Sequence, residues 1–262
     1  MISGGIRAGT RLLVVGWLFH FKMISRSAFD GLLGVMYPLF FATVAFFMFR
    51  AGGGQETLLY ASLGAAVMGI WSVTSTSAGS AMQRERWNGT LEVLVASPAP
   101  FALVLLPVTI AMTTIGLYCL VATLLWGRLL FGIDLEVVHP LLFALSIPVA
   151  IVSIGSLGFL LAVAFVRYRF AWALGNVLEY PVWLICGFLV PLTLLPDWVR
   201  PISWLLAPTW GMRAIRESAL GGAALPDLAL CLVLAVAYVA AGVLVLDSAL
   251  RAARARASLS LT

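Results

Sequence analysis

Catalysis and metal binding need side chains of particular types at particular spacings, and this chain of 262 residues offers few of them. Its two histidines, His20 and His139, lie far apart, and its single lysine, Lys22, does not follow a glycine-rich turn. A nucleotide-hydrolysing P-loop requires such a lysine, and a serine nucleophile elbow requires a G-x-S-x-G pattern that the sequence lacks. The sequence therefore predicts a polypeptide that is not an enzyme and that binds no metal or cofactor of its own.

The cysteines and the paired acids do not suggest a site either. Cys119, Cys186 and Cys231 lie inside apolar runs without C-x-x-C spacing, so neither a disulfide framework nor a zinc site is indicated. We interpret them as small core residues. Asp134 and Glu136 are close enough to pair, but they fall in a predicted loop with no other ligand nearby.

Glu179, unlike these residues, is a candidate functional residue, because it lies about ten residues into an apolar run that starts at residue 171. At the helical rise it would be roughly 15 Å deep in a membrane, where carboxylates are rare and costly. Asn176 lies one turn earlier on the same helix face. Two interpretations stay open: Asn176 and Glu179 line a transport pathway, or a protonated or paired Glu179 holds two helices together.

The composition indicates the environment of these helices. Apolar residues make up 62% of the chain and charged residues 10%, whereas soluble domains have roughly 45–50% and about 25%. The chain also contains 24 glycines and 12 prolines, which neighbouring helices make tolerable inside a membrane. The sequence predicts an all-α polytopic membrane protein. It excludes a water-soluble fold and gives no sign of nucleic-acid binding.

Six apolar stretches are long enough to span a membrane, which takes about 20 residues. They are residues 28–49, 57–80, 101–126, 140–166, 171–194 and 226–248. Six spans put both termini on one side, and that side holds eleven of the sixteen cations. By the positive-inside rule both termini are predicted in the cytoplasm. We expect one domain over residues 1–262, with a cytoplasmic tail over 249–262.

Residues 1–27 carry a basic stripe. Arg7, Arg11, Lys22 and Arg26 fall within about 100° of one another on a helical wheel, and Trp17 points away from them. This pattern predicts a helix in the membrane interface, with its cations toward lipid phosphates and its aromatic side chains toward acyl chains.

The predicted cytoplasmic loop, residues 83–98, contains a short helix by its sequence pattern. Asn88-Gly89 is a turn signal, Thr90 suits an N-cap and Pro98 prevents continuation, so residues 90–96 should be helical. The apolar face of this helix consists of Leu91, Leu94 and Val95. Such a helix can rest on lipid headgroups or bind a groove on a cytoplasmic partner, and the pattern alone leaves both open.

The segment from Pro191 to Gly222 is too apolar for a free loop and too interrupted by proline to span a membrane. Pro196 and Pro208 each predict the start of a short helix, and Gly221 predicts the end of the second. Tryptophans and arginines are interspersed here, namely Trp198, Arg200, Trp204, Trp210, Arg213 and Arg216. Since backbone at membrane depth must be buried in protein or line a cavity, residues 195–225 are predicted to form a re-entrant helical hairpin at the outer face.

These two segments resemble those of a known family. The stretch RERWNGTLEVLVASPAP is similar to the cytoplasmic loop of ABC-2 type exporter permeases, which has a Glu, then Gly-Thr-Leu-Glu, then Leu and Ser/Thr-Pro. The stretch ICGFLVPLTLLP, residues 185–196, resembles the end of that family's fifth span. With six spans and a basic N-terminal helix, the resemblance covers essentially the whole chain.

The resemblance implies partners and site residues. Two permease chains, identical or different, would form the membrane part of an ATP-driven exporter, and two separate ATPase subunits would bind ATP and Mg. A coupling helix that contacts the ATPase would include Glu85, Gly89, Thr90, Leu91, Glu92 and Leu94. An outer gate would include Pro191, Pro196, Trp198, Pro208 and Trp210. Glu179 is not expected of the family.

Three functions are consistent with these features. The leading one is a permease subunit that moves an amphipathic or lipid-linked substrate, such as a drug, a lipid or a glycan, outward across the cytoplasmic membrane. The alternative is a proton-coupled secondary transporter that uses Glu179. The third is a structural membrane scaffold. Membrane lipids are expected as partners.

Overall fold

The computed structural model describes residues 2–26, 36, 39–40, 42–48, 55–87, 89, 101–165 and 171–255. Within these ranges the regular structure is entirely helical, as predicted. The helices are α1 (Ile2–Ser25), α2 (Gln55–Trp87), α3 (Phe101–Phe131), α4 (Pro140–Phe165), α5 (Ala171–Ile185), α6 (Val199–Trp204), α7 (Ala207–Leu220) and α8 (Ala224–Ala255). A short 3-10 helix, Leu192–Leu194, lies between α5 and α6.

Four segments among the described residues are long and apolar enough to cross a membrane. They are Leu58–Thr76, Phe101–Phe131, Pro140–Ala164 and Ala224–Ser248. They correspond to the predicted second, third, fourth and sixth spans. Of the predicted first span, the structure describes residues 36, 39–40 and 42–48, all helical, and the rest lies outside the described residues. The count of six spans stays a prediction.

The predicted fifth span, residues 171–194, is wrong at its end, because α5 stops at Ile185. The N–H of Phe188 bonds back to the carbonyl of Trp183 at 3.2 Å, and Gly187 has a φ of +73°. This left-handed conformation costs glycine little and ends the helix. Apolarity could not reveal the stop, because the residues after it are as apolar as those before it.

α2 forms the centre of the fold. Nearly every side chain from residue 58 to residue 75 is buried, and α3, α4, α5 and α7 pack around it. Glycines allow close approach: a Cβ on Gly116 of α3 would lie 2.7 Å from the Cα of Ile70, and one on Gly158 of α4 would lie 2.7 Å from Thr74. Small residues at such contacts are typical of membrane helices, whose association depends on tight packing.

α1 packs along the first half of α3. The indole of Trp17 donates a hydrogen bond to the hydroxyl of Thr114 at 3.1 Å, and Phe21 stacks on Tyr118 with ring centroids 6.1 Å apart. The indole N–H of Trp17 therefore has a partner on α3, and the orientation of the aromatic side chains toward acyl chains stays a prediction. The stripe cations whose side chains are described are exposed, namely Arg11, Lys22 and Arg26. The interfacial location of α1 stays a prediction.

The three cysteines are core residues, as interpreted. Cys119, Cys186 and Cys231 are all buried. Among the described residues, no group of three His, Cys, Asp or Glu side chains lies close enough to hold a metal ion.

Candidate functional site

Two short helices occupy the proline-rich segment, as its pattern predicts. α6 begins at Val199, shortly after Pro196, and α7 carries Pro208 in its first turn. α7 ends at Gly221, which adopts a φ of +92° and donates its N–H to the carbonyl of Glu217 at 3.1 Å. Proline in the first turn and a left-handed glycine after the last are ordinary start and stop signals, so local sequence explains both ends.

Hydrogen bonds make α6 and α7 one unit, which we call the hairpin (residues 199–220). The hydroxyl of Thr209 donates to the carbonyl of Ser203 at 2.7 Å. The indole of Trp210 donates to the carbonyl of Trp204 at 2.8 Å. Since these bonds satisfy carbonyls at the end of α6, the turn between the helices keeps one geometry.

The hairpin is attached to its neighbours at both ends. The hydroxyl of Tyr238 on α8 donates to the carbonyl of Leu205 and accepts from the N–H of Ala207 at 3.1 Å. At the other end, the N–H of Val138, in the loop between α3 and α4, donates to the carbonyl of Ala219 at 3.0 Å. The hairpin is thus bonded to α8 and to the α3–α4 loop.

Arg216 of α7 is buried and joins three segments. Its Nη1 donates to the carbonyl of Gly187 at 2.7 Å, and its Nη2 donates to the carbonyl of Tyr60 at 3.2 Å and to that of Phe188. The guanidinium carbon also lies 3.4 Å from the centroid of the Tyr60 ring, a cation–π contact. Because the carbonyls beyond a helix C-terminus attract cations, the end of α5 is a favourable place for this charge. We call this set of contacts the Arg216 clamp.

The clamp holds a charge that few groups compensate. Arg216 lies outside the candidate spans, and burial lowers its pKa from 12.5 to about 10, so the guanidinium stays protonated at neutral pH. Its Nε has no hydrogen-bond partner in the part of the chain that the structure describes. No carboxylate among the described residues forms an ion pair with it. The charge is therefore held by neutral carbonyl oxygens and one aromatic ring.

Gly64 makes the clamp sterically possible. A Cβ at this position of α2 would overlap the carbonyl oxygen of Phe188 and would lie 2.6 Å from Nη2 of Arg216. Sequence reasoning singled out neither Gly64 nor this role of Arg216. Two sequence features could have pointed to the clamp. One is an arginine in an apolar segment, since a buried guanidinium must find several acceptors, and the other is the glycine that ends α5.

A cavity of about 580 Å³ lies beside the clamp. Its charged wall comes from α7 and consists of Arg213, Arg216 and Glu217. The lining also includes Tyr60 and residues 191–193. The cavity therefore combines charged side chains with apolar ones at the end of the bundle where the hairpin lies.

The guanidinium of Arg213 contacts two neighbouring side chains, those of Asp227 and Trp210. Its Nε lies 3.5 Å from Oδ2 of Asp227, a buried carboxylate on α8. Its guanidinium carbon lies 5.0 Å from the ring centroid of Trp210. These contacts position a partly exposed cation at the edge of the cavity.

The predicted gate residues surround this end of the bundle without forming one cluster. Pro191 lines the cavity, Pro208 is buried in α7, and Trp210 contacts Arg213. Pro196 and Trp198 are exposed, and Trp198 keeps 70% of its surface accessible. The structure therefore brings one of the five to the cavity and leaves two on the surface.

Glu179 is buried between α2 and α5. Its carboxylate accepts a hydrogen bond from the hydroxyl of Ser72 on α2. Asn176 is half-buried one turn earlier on α5. Glu179 is not among the residues that line the cavity. This contact corresponds to the interpretation in which Glu179 joins two helices.

The predicted coupling residues fall mostly outside the described part of the chain. Glu85 belongs to the last turns of α2, and Gly89 lies in a turn with a φ of +67°, as its Asn-Gly sequence predicts. The remaining four, Thr90, Leu91, Glu92 and Leu94, lie outside the described residues. The helix over 90–96 stays a prediction.

Residues 11–220 match the family described as ABC-2 type transporter. The matched range begins in α1 and ends at the last residue of α7, so it includes the hairpin and the Arg216 clamp. A comparison with curated proteins finds no match.

Proposed function

This chain belongs to the ABC-2 type transporter family, and from that premise we propose that it is the permease subunit of an ATP-driven exporter. Its membership, which covers residues 11–220, is the observation that carries the proposal. The substrate would be amphipathic or lipid-linked, such as a drug, a lipid or a glycan. It would move outward across the cytoplasmic membrane.

The proposal includes partners. Two ATPase subunits would bind ATP and Mg, and a second permease chain, identical or different, would complete the pathway. The sequence of this chain supports a separate ATPase, since its only lysine, Lys22, is not in a P-loop. Energy from ATP would therefore enter through an interface with another subunit.

The length of α2 supports opposite locations for the coupling loop and the hairpin. Tyr60 contacts the Arg216 clamp near the start of α2, and the helix ends at Trp87. At 1.5 Å per residue these positions are about 40 Å apart, close to the thickness of a bilayer with its headgroups. With eleven of sixteen cations on the side of the coupling loop, we propose that this loop and both termini are cytoplasmic and that the hairpin is re-entrant at the outer face.

The hairpin would then act at the outer exit. Because Tyr238 bonds it to α8 and Arg216 bonds it to α2 and α5, an opening movement would displace these helices together with it. A swing of the hairpin alone would break the clamp.

Transport by reconstituted vesicles tests this function. Vesicles containing the permease and the ATPase that copurifies with it should accumulate a fluorescent phospholipid or an amphipathic dye when ATP is supplied without a proton gradient. A proton gradient without ATP should give no accumulation. The reverse pattern would favour the proton-coupled alternative. A scaffold would be favoured if no ATPase copurifies and no substrate accumulates under either condition.

The variant Glu179→Gln distinguishes ATP-driven transport from proton-coupled transport through Glu179. Because the glutamine oxygen still accepts a hydrogen bond from Ser72, we expect ATP-driven transport to stay within about twofold of wild type. Glu179→Leu and Ser72→Ala each remove the bond, so both should destabilise the protein by about 1–2 kcal/mol in an SDS unfolding titration. A proton-carrying Glu179 would instead lose transport in Glu179→Gln with no loss of stability.

A further inference from the structure

We propose that the cavity beside the Arg216 clamp binds the zwitterionic headgroup of a membrane phospholipid, with the phosphate toward Arg213 and Arg216 and the ammonium toward Glu217. This goes beyond the proposed function, because it concerns a lipid held by one permease chain. It requires neither an ATPase nor a direction of transport.

The charges of the cavity wall favour a ligand that carries both signs. Among the described side chains, Arg216 and Glu217 each form no ion pair, although both line the same cavity. Arg213 already faces the buried carboxylate of Asp227. An anion alone would leave Glu217 without a counter-charge, and a cation alone would leave Arg216 without one. A phosphate joined to an ammonium can compensate both.

Glu217 is positioned by the turn that follows α7. The N–H groups of Gly221 and Gly222 both donate to its backbone carbonyl, at 3.1 and 2.7 Å. Its carboxylate packs against Gly222, where a Cβ would overlap Oε2. Glycine at this position leaves room for the carboxylate of Glu217, which lines the cavity.

The surroundings favour a lipid headgroup over a soluble ligand. The hairpin and the two residues before it expose Trp198, Trp204 and an ion pair between Asp197 and Arg200 at 3.0 Å, and this mixture is typical of the membrane interface. The volume of about 580 Å³ lies in the range of small-molecule sites. Leu192 lines the cavity as well and offers an apolar contact for the glycerol end of a lipid.

Lipid binding to the purified full-length chain tests the proposal. Native mass spectrometry would measure the affinity for dimyristoyl phosphatidylethanolamine, and for dimyristoyl phosphatidylglycerol, which has the phosphate without the ammonium. Wild type should prefer the first. Glu217→Gln should weaken its binding about tenfold, the size of one charge-assisted hydrogen bond, and should leave phosphatidylglycerol binding unchanged. Arg213→Gln should weaken the binding of both.

Two further variants control for indirect effects. Gly222→Ala displaces the carboxylate of Glu217 without removing its charge, so it should weaken phosphatidylethanolamine binding as Glu217→Gln does. Arg200→Gln removes an exposed cation of the same hairpin that lies outside the cavity. It should change the affinity for neither lipid.

Three outcomes would overturn the proposal. In the first, Glu217→Gln and Gly222→Ala bind phosphatidylethanolamine as tightly as wild type. In the second, wild type binds both lipids equally. In the third, free phosphoethanolamine competes at the same concentration as the lipid, which would make this a site for a soluble ligand. None of these results bears on ATP-driven transport, so the two proposals fail separately.

Discussion

The double substitution Leu91→Asp with Leu94→Asp should abolish ATP-driven transport and release the ATPase, while the permease still inserts into the membrane. Both leucines lie on the predicted apolar face of the coupling helix. Losing two apolar anchors at the centre of an interface would cost about 4 kcal/mol, or roughly a thousandfold in affinity. Copurification of the ATPase with the permease measures the association, and vesicle transport measures the consequence.

Val93→Asp is the matched control for this prediction. It adds the same charge to the same predicted helix, but about 160° away from Leu91 around the axis, so the ATPase should stay bound. Retention of both the ATPase and transport by the double variant would show that the loop only rests on lipid. Release of the ATPase by Val93→Asp as well would show that the interface does not depend on one helix face.

Arg216→Met should destabilise the folded permease by about 3 kcal/mol or more in an SDS unfolding titration. Methionine has a similar length but no donor, so the buried carbonyls of Gly187 and Phe188 lose the hydrogen bonds that Arg216 supplies. Each such loss costs about 1–3 kcal/mol. The cation–π contact with Tyr60 is lost as well.

Two comparisons show whether the clamp is responsible. Arg200→Met removes an exposed arginine of the same hairpin, whose ion pair with Asp197 contributes little, and should change stability by less than about 1 kcal/mol. Arg216→Lys keeps the charge but lacks the planar fork, so its stability should fall between those of wild type and Arg216→Met. If Arg216→Met unfolds like Arg200→Met, the clamp does not stabilise the fold.

Local sequence determined much of this protein. Apolar composition and the lengths of the apolar runs predict a helical membrane protein, and four of the predicted spans are long apolar helices in the structure. Pro208 and Gly221 predict the ends of α7 because proline favours a first turn and glycine a left-handed stop. Each of the two motifs that carry the family resemblance is a continuous stretch of sequence, and membership of the family is confirmed over residues 11–220. The coupling helix over 90–96 stays a prediction.

The tertiary structure decided which distant residues meet. Ser72 and Glu179 are 107 positions apart in the chain, and Tyr60 and Arg216 are 156 apart. The chain that follows α5 depends on the same packing, since Arg216 binds the carbonyls of Gly187 and Phe188 and Gly64 leaves room for the second of them. Apolar periodicity identifies the helix face that is shielded from water. Inside a membrane nearly every face is shielded, so the pattern does not show which face packs against another helix. The partner of a buried polar group is set by helix packing, which brings together residues that no local pattern connects.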